Sequence, residues 1–173
     1  MESDISREIA SGDEAAMCQT SACLRAEKIA LRLIARAEQC TNGLRLKLEK
    51  KGYETACIDT VIDRLTSLQL LDDSRFARLW LTSRIRLPRS PKRLFTALRA
   101  RGIDHDDAGA ALKNVLDDDA EYAMLLRFVR KYMRKTARKN ESEDVIRSLK
   151  YMLKSEGFSS VAIQRYLEEN QDN

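Results

Sequence analysis

The sequence predicts an all-α fold of three tandem three-helix repeats forming an elongated, curved array. Three observations predict it: one motif recurs three times without a gap, each half of it carries helical spacing, and a further amphipathic stretch precedes every copy. The copies are LRLKLEKKGYETACIDTVIDRL from Leu44, LFTALRARGIDHDDAGAALKNV from Leu94 and LKYMLKSEGFSSVAIQRYLEEN from Leu149. Expected boundaries are an acidic segment over residues 1–21, then repeats over 22–71, 72–117 and 118–173.

Each copy turns on a glycine, Gly52, Gly102 or Gly157, with Leu48, Leu98 or Leu153 four residues before it. Tyr53, Ile103 or Phe158 follows directly. This is the pattern of a Schellman ending: glycine takes the left-handed conformation without a Cβ clash, and its apolar successor folds back onto the leucine one turn inside. Beyond the turn, Ile58, Ala108 and Ile163, then Val61, Ala111 and Tyr166, then Ile62, Leu112 and Leu167 occupy matching positions. Spacings of three and four make that stretch a second helix.

The helix ahead of each pair aligns Ile29, Ala30 and Leu33 with Phe76, Ala77 and Trp80, and with Tyr122, Ala123 and Leu126. The alanine is expected to be central in every copy. Alanine and glycine lie 22, 25 and 34 residues apart, so length varies only between the first and second helices.

Ser90 followed by Pro91 reads as an N-cap and first helical residue, and Asp104 as the cap of the helix after Gly102. In LLDDSRFA, from Leu70, the two leucines are expected in the core and Asp72 or Asp73 is expected to cap the next helix. Cys40, Thr41, Asn42 and Gly43 offer no reciprocal capping box, which leaves Thr41 or Asn42 as the cap.

Composition sets the class. A chain that is 43% hydrophobic and 34% charged, with two prolines, has enough apolar residues for cores and enough charge for long solvated helices. No basic-then-apolar leader opens it and no apolar run is long enough to span a bilayer, so a cytoplasmic monomer is expected, with no membrane partner. Cys18, Cys23, Cys40 and Cys57 lack ligand spacing and share one histidine, so they read as reduced thiols, with Cys57 a small core residue and no metal or cofactor. His105, within DHDD, lacks convergent partners for acid–base chemistry. A phosphate-binding glycine loop and a Ser/His/Asp arrangement are both missing, so the expected function is not enzymatic.

Charge is segregated along the chain. Residues 74–103 hold nine cations and no acid, and residues 127–139 hold seven cations and no acid. Between them, residues 104–121 carry seven acids against Lys113. Sustained basic faces attract a polyanion or an acidic protein surface; merely solvated helix faces are the plainer alternative. Candidate partner-binding residues are Arg84, Arg86, Arg89, Lys92, Arg93, Arg99, Arg101, Arg130, Lys131, Arg134 and Lys135.

The stretch LTSLQLLDDSRFARLWLTSRI from Leu65 resembles the linker and helix of the RecX family, bacterial regulators of the recombinase RecA. ALRLIARAEQC from Ala30, SPKRL from Ser90 and the three glycine turns extend the resemblance over roughly residues 26 to 168. The resemblance implies a non-enzymatic protein that lies in the groove of the RecA filament on DNA. It also implies inhibition of filament ATPase, strand exchange and assisted repressor cleavage, and thereby regulation of recombinational repair and the SOS response. Within that reading the basic faces meet either recombinase surface or DNA. A direct, non-specific nucleic-acid-binding module is the second reading, and a helical scaffold with another protein partner the third. Glu156 stands where relatives carry a basic residue, which argues against a basic contact at the third turn.

Overall fold

The helices stop where the backbone is forced to reverse. Gly52, Gly102 and Gly157 take φ values of +84°, +84° and +85°. The amides of Tyr53, Ile103 and Phe158 reach back to the carbonyls of Leu48, Leu98 and Leu153 at 3.3, 3.3 and 3.2 Å. Each glycine amide in turn donates to the carbonyl three residues before it, completing the Schellman pair. Leu48, Leu98 and Leu153 are fully buried beneath these turns.

The computed structural model describes residues 21–136 and 143–170, and the described residues contain helices and no strand. Helix α1 runs over residues 21–36. Eight follow: α2 Thr41–Glu49, α3 Thr55–Ser67, α4 Asp73–Thr82, α5 Pro91–Arg99, α6 His105–Val115, α7 Asp118–Thr136, α8 Glu143–Ser155 and α9 Ser160–Glu169. The expectations for the acidic N-terminal segment and for Arg138 and Lys139 fall outside the described residues.

The chain forms two compact units, meeting at Asp73 and Ser74. In the first, α2 packs on α3. Ala26 and Ala30 of α1 join Leu44, Leu48, Ile58, Val61, Ile62, Leu65 and Leu71 in one core. In the second, α5 packs on α6, and both α7 and α8 pack on α9. Its interior holds Ala77, Leu81, Leu94, Leu98, Ile103, Met124, Leu125, Leu153 and Phe158.

Three expectations need correction and a fourth is narrowed. Leu70 is 38% exposed while Leu71 is buried, because α3 ends in a fourth Schellman turn made without glycine. Gln69 takes φ +55° there, and the Leu70 amide reaches the Leu65 carbonyl at 2.9 Å. Of the two expected caps of α4, Asp73 lies inside that helix and its carboxylate instead accepts from the Thr41 amide of α2 at 2.7 Å, which leaves Asp72, directly before α4, as the expected cap. Cys40 is the N-cap of α2 and makes no side-chain cap bond, so neither Thr41 nor Asn42 holds that place. In α7 the buried residues are Tyr122, Met124, Leu125, Phe128 and Val129, whereas Ala123 is half-buried and Leu126 exposed. The third alanine is therefore not central, since a longer α7 turns a neighbouring stripe inward.

The other caps stand as expected. The Ser90 hydroxyl accepts from the Arg93 amide with Pro91 at the first helical position, and the Asp104 carboxylate accepts from the Asp106 amide at 3.0 Å. The amides of Asp106 and His105 hold the Asp104 carboxyl below its ordinary range.

Glycine substitutions separate backbone strain from crowding. A Cβ on Gly52 would meet open space, so Gly52→Ala is expected to cost about 1 kcal/mol, the left-handed penalty alone. A Cβ on Gly157 would lie 3.4 Å from the Lys92 amide nitrogen, so Gly157→Ala is expected to lower the urea midpoint further than Gly52→Ala does.

Candidate functional site

The start of α5 is where the two distant halves of the second unit meet. Ser90 is fully buried, and besides capping α5 its hydroxyl donates to the Glu156 carboxylate. The Arg93 guanidinium lies 3.3 Å from the same carboxylate, the Lys92 amide donates to the Glu156 carbonyl at 3.1 Å, and Lys92 Nζ donates to the Ser155 carbonyl at 3.1 Å. The third glycine turn thus plugs onto the first turn of α5. Arg93 is largely solvated, so its ion pair adds little by itself; the buried hydroxyl and the backbone bond supply the specificity. Glu156 is thus engaged within the unit, its carboxylate paired with Arg93 and accepting from the Ser90 hydroxyl.

Two more candidates are committed to Trp80. The Arg84 and Arg101 guanidinium carbons lie 4.6 and 4.5 Å from the centre of its ring. Arg84 also donates to the Ser83 hydroxyl and Arg101 to the Ala97 carbonyl. Trp80 is buried, so it belongs to the core and carries these cations on its ring. Arg99 donates to the Ile103 carbonyl at 2.8 Å and lies 3.7 Å from Asp104.

The remaining candidates differ in kind. Arg86, Arg89, Arg130, Lys131 and Arg134 are exposed, and their side chains make no hydrogen bond or ion pair with another described residue. The side chain of Lys135 lies outside the described residues, though its backbone is in α7. The two acid-free blocks converge at a cleft of about 90 Å³ lined by Pro88, Arg93, Phe128, Lys131 and Tyr132. Arg127, not among the sequence candidates, helps join the blocks, donating from Nη2 to the Ile85 carbonyl at 3.1 Å. Its only sequence signal was its place at the head of the second block.

No metal-binding cluster of His, Cys, Asp and Glu occurs among the described residues. No helix of the described residues is long and apolar enough to cross a membrane. His105 is exposed, set edge-on to Phe95 with ring centres 5.2 Å apart, and has only Asp106 beside its Nδ1. At the far end of the unit, Arg165 stacks 4.1 Å from the Tyr122 ring and pairs with Asp119 and Glu169. Burial and the Glu169 hydrogen bond push the Tyr122 hydroxyl up to about 12. These groups tie α7 to α9 through a neutral phenol donating to an ionised carboxylate.

The chain matches the models of the RecX first three-helix domain over residues 26–65 and the RecX second three-helix domain over residues 72–112. It is 37% identical over 121 residues to a regulatory protein RecX of Treponema pallidum, covering 69% of this chain and 74% of the relative. The chain belongs to the RecX family. A regulatory protein RecX of Mycobacterium ulcerans is 35% identical over 136 residues, 78% of each chain. The crystal structure of RecX from Lactobacillus salivarius superposes with a TM-score of 0.73 at 19% identity, over 89% of this chain and 99% of that one. A second RecX crystal structure gives a TM-score of 0.77 at 19% identity over 94% and 78%. The RecX fold therefore extends beyond the two matched domains.

Trp80 is the sole tryptophan, which makes its cation stacking measurable. Arg101→Ala is expected to raise acrylamide quenching of its fluorescence and to cost about 0.5–1 kcal/mol of stability.

Proposed function

We propose that this chain is a negative modulator of the RecA recombinase, binding the RecA–DNA filament and inhibiting its ATPase, strand-exchange and coprotease activities. It thereby regulates recombinational repair and the SOS response. Membership of a family of regulatory proteins is the frame for this reading; the observation that carries it is the convergence of the two acid-free blocks. Five exposed cations, Arg86, Arg89, Arg130, Lys131 and Arg134, have side chains without a partner among the described residues and belong to the two blocks that meet at this cleft, which Arg93 and Lys131 line. Unpaired guanidinium and ammonium groups gain most from a partner that brings its own acids, either phosphates or carboxylates. A filament repeats such acceptors at fixed intervals, so several weak contacts on one chain sum through effective concentration.

Trp80 bears on the choice of partner. Its ring already carries Arg84 and Arg101, so it offers no platform for an unstacked base, which favours filament engagement over a dedicated single-strand binder. The Ser90–Glu156 plug refines which cations to test. Lys92 and Arg93 hold the third turn, and reversing them would disturb the fold as well as the surface.

The test uses preformed filaments of the cognate recombinase on single-stranded DNA, with DNA-dependent ATP hydrolysis as the readout. Wild type is expected to inhibit at concentrations where naked DNA is barely bound. A variant reversing Arg86, Arg89, Lys131 and Arg134 to glutamate, with an unchanged unfolding midpoint, is expected to need at least roughly tenfold more protein, since each lost charged contact is worth a sizeable share of 1 kcal/mol. Equal inhibition by that variant would sink the assignment of these cations. Inhibition only when DNA is coated, with a steep loss in salt, would instead establish the direct nucleic-acid module.

A further inference from the structure

The first unit contains a pair of thiols that the regulatory surface does not use. Cys23 lies near the start of α1 and Cys57 near the start of α3, 34 residues apart in sequence. They line one cavity of about 310 Å³, together with Gly52, Tyr53, Glu54 and Thr60. Cys57 is buried in the core of the unit, and Cys23 is half-buried against that core. Cys40 is also buried, but it does not line this cavity.

We propose that Cys23 and Cys57 form a dithiol site that a low-molecular-weight disulfide oxidises reversibly, joining α1 to α3 through a protein disulfide. The cavity gives the reagent access, and the difference in exposure assigns the order of events. Cys23, as thiolate, attacks one sulfur of the reagent; its S–S bond breaks, a mixed disulfide forms on Cys23, and the expelled thiolate takes up a proton. Cys57 then loses its proton and attacks the Cys23 sulfur, releasing the second reagent thiol. Two protein thiols are oxidised by two electrons, and one reagent disulfide is reduced to two thiols.

The local chemistry keeps the pair reduced until a reagent arrives. Burial, then the neighbouring Cys23 thiol, then Glu54, push the Cys57 thiol up to about 11, which keeps it protonated and unreactive on its own. Capping of Cys23 by the reagent places an electrophilic sulfur in the cavity that Cys57 also lines. A two-step exchange initiated at Cys23 suits this asymmetry better than direct attack by Cys57.

The full chain, incubated with oxidised glutathione and then digested with trypsin under non-reducing conditions, tests the site by peptide mass. A Cys18→Ala background makes the assignment unambiguous, because Cys18 and Cys23 share a tryptic peptide. The expected product is the Cys23 peptide joined to the Cys57 peptide with loss of two hydrogens, reversed by a dithiol reductant and missing from Cys57→Ser. The thermal midpoint should rise by about 10 °C on oxidation, as closure of a loop of this length implies. Glutathione persisting on Cys23 in the wild-type chain without the cross-link, or a dominant link from either cysteine to Cys40, would overturn the proposal. Wild-type mapping suffices even if Cys57→Ser folds poorly.

Discussion

A backbone amide that reaches back across a left-handed glycine fixes the angle between the second and third helices of every repeat. The bond runs from Tyr53 to Leu48, from Ile103 to Leu98 and from Phe158 to Leu153, each over a residue at φ near +84°. Because the residue after the glycine is apolar, the same turn that closes the helix also drives a side chain onto a buried leucine. At the third copy the turn carries a further load. Its Glu156 and Ser155 face the first turn of α5, and a Cβ on Gly157 would come into van der Waals contact with Lys92. A misplaced third turn would displace Lys92 and Arg93 and the cleft beside them.

That constraint explains how the charge is divided. A helix needs its first amides satisfied, and α5 obtains this from Ser90, which is in turn bonded to Glu156. Arg93 and Lys92 are drawn into the same contact, while Arg84 and Arg101 lie on Trp80. What remains is a smaller set of outward cations on the segment before α5 and on the exposed face of α7. Among the described residues their side chains have no acidic partner, while Asp104 is engaged by its helix cap and Asp119 and Glu169 by Arg165.

Features set by neighbours in sequence were legible in it. The glycine turns, the Ser90 and Asp104 caps, the amphipathic stripes other than that of α7 and the segregated charge all depend on spacings of a few residues. Features set by residues far apart were not. Asp73 meets Thr41 across 32 residues, and Ser90 meets Glu156 across 66. The same limit hid the proximity of Cys23 and Cys57. Gln69 failed for a different reason, since a non-glycine residue in a left-handed turn carries no composition signal and only the carbonyl of Leu65 shows that the turn is there. The candidate surface was visible as two basic blocks; which cations stay available depended on contacts that no local pattern encodes.

The most direct measurement of the central claim is amide hydrogen–deuterium exchange of the full chain, alone and on recombinase filaments assembled on single-stranded DNA. Slowed exchange across residues 84–93 and 127–134 on the filament is the expected result, since both segments border the cleft where the basic blocks converge. Protection confined to α2 and α3, with residues 84–93 and 127–134 unchanged, would contradict the account.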